Sequence, residues 1–146
     1  MKKILSLIVF VTCISLANAQ TFQMVGAYTT GDTVVNTATK ACSLKVAHSY
    51  KQISVQAIVT KISGTVAGTI TLQGTVDGTN YVTVDSAVIV SNHQPYPTYT
   101  ATNTATQSKV WILNNSPYLW YKLSYTGSGT MSAILKGYLL PRPQQD

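Results

Sequence analysis

Residues 62–86 read ISGTVAGTITLQGTVDGTNYVTVDS, and this stretch decides the fold. Within it GTVAGT at 64–69 is nearly repeated as GTVDGT at 74–79, and between the two copies Ile70 and Leu72 alternate with polar residues. Such alternation is typical of a strand with one buried face, and the glycines indicate a turn at each end. The stretch therefore predicts antiparallel β-structure.

A hairpin is expected directly after this strand. Asp77 and Gly78 tolerate the left-handed backbone that a tight hairpin turn needs, so we predict a tight turn at these two residues. Residues 81–84, Tyr-Val-Thr-Val, would then carry the chain back beside the first strand.

The rest of the chain shows similar short strands. Apolar alternation predicts strands at 50–62, 119–126 and 130–140, and shorter apolar runs predict strands at 22–28, 41–46, 87–90 and 110–113. Residues 91–108 have little periodicity and indicate a long surface loop, with an irregular edge strand as the alternative. About eight short strands without helical periodicity predict an all-β, antiparallel β-sandwich of jelly-roll or immunoglobulin-like type. A closed small barrel is the alternative.

Residues 1–19 have the three parts of a secretory signal peptide. These are a charged start at Lys2 and Lys3, an apolar run at 4–16 and a small-residue cleavage site at 17–19. The apolar run is well short of the roughly 20 residues that a membrane-spanning helix needs. We therefore expect cleavage, with no transmembrane segment afterwards, and an uncleaved anchor is the alternative. Residues 20–146 are predicted to form a single β-sandwich domain.

The chain carries unusually little charge. Charged residues make up 10% of it, against about 25% in an average soluble domain. Without Lys2 and Lys3, eight basic residues face four aspartates, a net charge of +4. The basic residues are scattered rather than clustered, so we expect no dedicated nucleic-acid binding. A polar surface made mostly of uncharged residues suits a protein that packs against copies of itself or works outside the cell.

The sequence offers no pattern for catalysis or metal binding. A glycosidase needs two carboxylates flanking a cleft, and with Asp77 assigned to its turn only Asp32 and Asp85 remain before the C-terminal residue. His48 and His93 have no nucleophile signature to support a triad. Two distant histidines and one cysteine give no zinc-ligand spacing. We therefore expect a non-enzymatic protein with no metal and no cofactor.

Aromatic residues give the best binding hypothesis. Tyr96 and Tyr99, framed by Pro95 and Pro97, fall in the predicted long loop, where rigid amphipathic rings contact glycans or proteins. The alternative is that both tyrosines pack down and close one end of the sandwich.

Three further aromatic residues, Trp111, Trp120 and Tyr121, fall within predicted strands, which favours core or sheet-interface positions. Alternation places Trp120 and Tyr121 on opposite faces, so one of the two is expected to face solvent or a neighbouring subunit.

Three stretches together resemble small β-sandwich virion proteins of tailed bacteriophages. They are 63–84, with Leu-Gln-Gly followed by Asp-Gly-Thr-Asn-Tyr, the aromatic-rich 118–125, and 126–139, which opens with Thr-Gly-Ser-Gly-Thr. The resemblance implies a role in the particle as a decoration, fibre or tail-attachment protein, usually as a multimer. The export signal departs from that pattern and favours a bacterial secreted protein or an exported phage protein.

The expected function is therefore a non-enzymatic structural or attachment component of a bacteriophage particle, located in the virion or exported. It would act as a homo-oligomer through multivalent contacts with other virion proteins or with a cell-surface glycan or protein. The alternative is a bacterial secreted or surface β-sandwich that binds glycan or protein.

Overall fold

The computed structural model describes residues 22–24, 32–47, 50–90 and 92–142. Within them the chain forms ten strands: β1 Phe22–Gln23, β2 Asp32–Val35, β3 Thr39–Lys45, β4 Gln52–Gly64, β5 Gly68–Thr75, β6 Val82–Thr83, β7 Thr98–Ala101, β8 Thr106–Asn114, β9 Trp120–Gly127 and β10 Met131–Arg142. A short 3₁₀ helix, Ser86–Val88, follows β6. The predicted signal peptide lies outside the described residues, as does most of the strand predicted at 22–28.

The strands form two five-stranded antiparallel sheets. In sheet A, β4 lies between β8 and β10, and both β1 and β2 pair with β10. In sheet B, β9 lies between β3 and β5, and both β6 and β7 pair with β5. The predicted all-β antiparallel sandwich is confirmed. There are ten strands rather than about eight because short strands share one side of β5 and one side of β10.

The core lies between the inner faces of the two sheets, and the alternation in sequence explains which side chains fill it. The largest fully buried side chains are Trp111, Tyr121, Tyr125, Ile53, Ile70, Leu72, Leu113, Leu123, Leu135, Leu139, Val34 and Val55. Burying one such aliphatic side chain stabilises the fold by about 2 kcal/mol. Because successive side chains in a strand point to opposite faces, each buried residue leaves a neighbour on an outer face.

The turn after β5 differs from the predicted tight hairpin. Only Gly78 of the two turn residues takes a left-handed backbone, with φ of 77°. The chain returns to β5 only at Val82, because the Asp77 side chain accepts backbone hydrogen bonds from Thr79 and Asn80 and stabilises a wider loop. The returning strand β6 is only two residues long.

The strand predicted at 87–90 was wrong in part. Residues 87 and 88 belong to the 3₁₀ helix, because Asp85 caps it by accepting a hydrogen bond from the Ala87 N–H at 2.9 Å, and Ile89 forms an isolated bridge with Leu113. The edge strand given as the alternative for 91–108 is present as β7, whereas β8 begins before the end of the predicted loop, at Thr106.

Candidate functional site

Tyr96 lies at the surface on a loop whose backbone is fixed from inside the fold. Its side chain is 66% exposed. Its carbonyl oxygen accepts a hydrogen bond of 2.8 Å from Nε1 of the fully buried Trp111. The Gln94 side chain donates a bond of 2.9 Å to the Thr98 carbonyl and spans the same loop. Tyr96 therefore presents an aromatic ring to solvent from a rigid support.

Tyr99 has a different environment from Tyr96. It lies in β7 rather than in a loop, and its half-buried ring packs against the core. Its hydroxyl donates to Oε1 of Gln107 at 3.2 Å, and Lys109 Nζ lies 4.6 Å from the ring centroid. The two tyrosines predicted to form one contact site are therefore split, with Tyr96 exposed and Tyr99 packed down.

A second aromatic group lies on the outer face of sheet B. Tyr121 is fully buried, so the preceding residue, Trp120, points outward. Lys45 on β3 lies directly opposite Trp120, and its Nζ is 5.5 Å from the centroid of the Trp120 ring. A lysine at this distance from an indole ring makes a favourable cation–π contact.

Lys122 lies two residues further along β9 on the same face. Its Nζ is 4.0 Å from the ring centroid of Tyr81, which ends the loop between β5 and β6. Gln73 is the register partner of Lys122 on β5. We call Lys45, Gln73, Tyr81, Trp120 and Lys122 the aromatic–lysine patch. Lys45 is exposed and the other four are half-buried, so all five reach the surface.

The loop between β5 and β6 supports one side of this patch. A Cβ atom added to Gly78 would lie only 3.1 Å from Cε2 and Nε1 of Trp120, so the glycine lets the loop backbone pack against the indole. Asp77 holds the loop in place by accepting bonds from the Thr75 hydroxyl, from the N–H groups of Thr79 and Asn80, and from the Asn80 side chain. These hydrogen bonds, that of Thr75 above all, hold the pKa of Asp77 below its usual value.

The two lysines give the patch a positive charge. Among the described residues, no carboxylate forms an ion pair with Lys45 or Lys122, and their contacts are the two aromatic rings. Asp77, on the adjoining loop, uses both carboxylate oxygens within that loop. The patch thus combines two rings, an amide and two ammonium groups.

Sequence reasoning identified only part of this patch. Alternation required one of Trp120 and Tyr121 to face outward without deciding which; the outward residue is Trp120, and Tyr121 is buried, as is Trp111. It did not connect Trp120 with Lys45 or Tyr81. The register of β3, β9 and β5 brings them together, and no local sequence pattern encodes that register.

The aspartates and histidines offer no catalytic arrangement in the part of the chain that is described. Asp77 is engaged in its loop and Asp85 caps the 3₁₀ helix. Nδ1 of the exposed His93 lies 2.9 Å from the side-chain oxygen of Asn92. His48 lies outside the described residues. No group of three or more potential metal ligands occurs among the described side chains.

Two buried hydroxyl groups have no hydrogen-bond partner among the described atoms, Ser116 Oγ and Tyr121 Oη. In contrast, the buried Tyr125 donates to the Ala67 carbonyl at 3.0 Å. Burial raises the pKa of Tyr121 to about 12, because the phenolate form would lose its hydration. Tyr121 belongs to the core, Ser116 lies buried in the loop between β8 and β9, and neither is part of the exposed patch.

Comparisons with known proteins give no family for this chain. No protein-family model matches the sequence, and no curated protein matches it. In the described residues no helix is long and apolar enough to cross a membrane.

Three solved structures resemble the chain weakly. The SPBc2 prophage-derived protein YomS has a TM-score of 0.47 and 9% identity, over 83% of this chain and 91% of its own. The CBM22-1–GH10 modules of Clostridium thermocellum xylanase 10B, complexed with xylohexaose, have a TM-score of 0.46 and 12% identity, over 88% of this chain and 26% of theirs. The N-terminal cellulose-binding domain of Cellulomonas fimi β-1,4-glucanase C has a TM-score of 0.40 and 11% identity, over 77% of this chain and 78% of its own. Similarity at this level is too low to indicate what this chain binds.

Proposed function

We propose that this protein is a non-catalytic attachment module that binds carbohydrate through the aromatic–lysine patch of sheet B. The observation that carries the proposal is the outward position of Trp120 on a rigid strand, between Lys45 and the glycine of the adjoining loop. An aromatic ring held in this way offers a large amphipathic contact area at little cost in conformational entropy. Amide and ammonium donors beside it can bind sugar hydroxyl groups.

The rest of the same face favours a glycan over a protein as the ligand. Outward positions of sheet B are rich in hydroxyl groups, among them Thr69, Thr71, Thr98, Thr100, Ser124 and Thr126. The core of a protein–protein interface is more apolar than this, whereas hydroxyl groups readily exchange hydrogen bonds with a hydrated polysaccharide.

The outer face of sheet A supports a second, structural role. Its half-buried outward residues include six aliphatic or aromatic side chains, interspersed with polar ones such as Ser54, Gln56 and Lys136; the six are Ile58, Val110, Ile112, Ile134, Tyr138 and Leu140. A charge-poor face that carries this many apolar side chains suits packing against further subunits. Together with the motif resemblance to phage virion proteins, it favours a homo-oligomeric component of a particle, exported or assembled into a virion. Repetition of one weak glycan site would then give avidity.

Affinity electrophoresis of the purified protein through gels containing soluble neutral and acidic polysaccharides tests the binding proposal. We expect at least one polysaccharide to retard the protein. Trp120→Ala should weaken that binding about tenfold or more, because the ring supplies the main contact area. Phe22→Ala removes an exposed aromatic residue from β1, in the other sheet and outside the apolar residues named above, and should leave binding unchanged. If no polysaccharide retards the protein, or if Trp120→Ala binds as the wild type does, the proposed function is wrong.

A further inference from the structure

We infer that the glycan bound at the aromatic–lysine patch is an anionic polysaccharide, whose acidic groups are bound by Lys45 and Lys122. This inference rests on the proposed function and adds the ligand's charge to it. It follows from where the two lysines lie relative to Trp120, and from the absence of any protein carboxylate paired with them in the described part of the chain.

The two lysines flank the indole from two directions. Lys45 lies across from Trp120 on β3, and Lys122 lies two residues along β9 on the same outer face. Two residues along a strand span about 6.6 Å, and a directly opposite residue on the next strand is about 5 Å away. A sugar ring stacked on Trp120 would therefore have an ammonium group within reach on either side.

The contacts of the lysines keep their charge available. Their ammonium groups lie 5.5 and 4.0 Å from aromatic ring centroids, and these contacts hold the side chains on the surface without neutralising them. Asp77, on the adjoining loop, uses its oxygens for four hydrogen bonds to Thr75, Thr79 and Asn80. A positive site without a protein counter-ion attracts an anionic ligand.

The donor types indicate which anionic groups fit. Lysine is a compact point charge with three donors and binds carboxylate or sulfate without the planar, two-pronged geometry of arginine. Gln73, the β5 neighbour of Lys122, can donate an amide hydrogen bond to a sugar hydroxyl. The patch therefore fits uronic-acid or sulfated sugars, whose charges are spaced along the chain.

The test compares polygalacturonate with its carboxyl-reduced, neutral derivative, using the full-length purified protein and isothermal titration calorimetry. We expect the acidic form to bind at least about tenfold more tightly, and we expect the difference to shrink as salt rises from about 0.05 M to about 0.5 M. A sulfated polysaccharide of similar charge density, titrated in parallel, distinguishes carboxylate from sulfate as the preferred anion.

The matched variants change the net charge equally. The double substitution Lys45→Gln, Lys122→Gln should lose about tenfold in affinity for the acidic polymer and little for the neutral one. The control Lys51→Gln, Lys136→Gln removes two lysines outside the patch and should keep the wild-type preference.

Three outcomes distinguish a failure of this inference from a failure of the proposed carbohydrate-binding function. If the two polymers bind equally and Trp120→Ala weakens both, the protein binds carbohydrate but the anionic preference is wrong. If no carbohydrate binds, both the inference and the proposed function fail. An oligothymidylate titrated in the same way serves as the nucleic-acid comparison. If it binds more tightly than every polysaccharide, the positive patch recognises nucleic acid, and the inference is overturned.

Discussion

The two sheets bury equivalent inner faces against each other, but their outer faces differ. The outer face of sheet A carries aliphatic residues such as Ile58 and Ile134, with Lys136 as a charged neighbour. The outer face of sheet B carries threonines, serines and the aromatic–lysine patch. One alternating rule places the core residues in both sheets. The sheets therefore differ chemically in their outward-facing residues. These residues favour the proposed subunit packing for sheet A and the proposed ligand binding for sheet B.

The largest expected effect is on stability, and it shows whether the inner faces of the two sheets contribute equally to the free energy of unfolding. Leu123 on β9 and Leu135 on β10 are both buried in the core. Leu123→Ala and Leu135→Ala should each lower the free energy of unfolding by about 3 kcal/mol, because each leaves a cavity. Urea denaturation measures the loss, and Ser124→Ala, on the outer face, is the matched control that should stay within about 0.5 kcal/mol. A small loss in only one of the two leucine variants would show that the sheets contribute unequally.

A second expectation concerns the buried hydroxyl of Tyr121 on the inner face of sheet B, which should make the fold less stable at alkaline pH. Because the pKa of Tyr121 is raised to about 12 in the folded protein, the unfolded chain ionises first, near pH 10. Stability is therefore retained below pH 10 and falls by about 2 kcal/mol as the pH rises towards 12.

Tyr121→Phe isolates this effect, because it removes the hydroxyl and keeps the ring. Denaturation at pH 8 and pH 11 should show a smaller alkaline loss in the variant than in the wild type. An equal loss in both proteins would mean that other groups cause the alkaline destabilisation.

The third expectation sharpens the assignment of sheet A to packing. Ile134→Lys places a charge in the apolar outer face and should weaken self-association about tenfold, since a buried unpaired charge is costly at an interface. Size-exclusion chromatography with light scattering, and electron microscopy of any large species, measures the assembly. Ser124→Lys, in the middle of sheet B, is the control and should leave the assembly intact. A wild-type protein that stays monomeric would contradict the homo-oligomer proposal.

The smallest expected effect separates Tyr96 from Tyr99. Tyr99→Ala removes a ring that packs on the core and the hydroxyl bonded to Gln107, so it should cost about 1–2 kcal/mol of stability. Tyr96→Ala removes an exposed ring and should stay within about 0.5 kcal/mol. Thermal unfolding of both variants decides this. If Tyr96→Ala also weakens glycan binding, the exposed loop is a second contact to the ligand.

Local alternation made much of the fold predictable. The buried Ile70 and Leu72 of β5, and the buried face of β4, follow directly from their spacing in the sequence. The strand predicted at 87–90 was wrong in its first half, because the Asp85 side chain caps a 3₁₀ turn there, and only Ile89 and Val90 bond to β8.

The aromatic–lysine patch was harder to predict because it is built by pairing between distant strands. Trp120 was expected to be a core or interface residue, since its own strand shows only that it alternates with Tyr121. Lys45 reaches its ring through the β3–β9 register, and that register depends on the packing of the whole sandwich. Tyr96 and Tyr99 lie in the same stretch of prolines and threonines, which has no apolar alternation. The sequence therefore could not show that the Tyr99 ring points inward and the Tyr96 ring outward.

One edge of each sheet is formed by two short strands instead of one long strand, and this limits how copies of the protein can join. Along β10 the outermost position is divided between β1 and β2, and along β5 it is divided between β6 and β7. On the opposite margin of sheet A, β8 accepts a hydrogen bond from Val90 to Ile112 and bridges to Ile89. The remaining margin, β3, has Lys40 and Lys45 near its ends. Short, covered or charged margins oppose the addition of a foreign strand. The proposed assembly would therefore use the broad outer faces of the sheets and not the addition of strands at their edges.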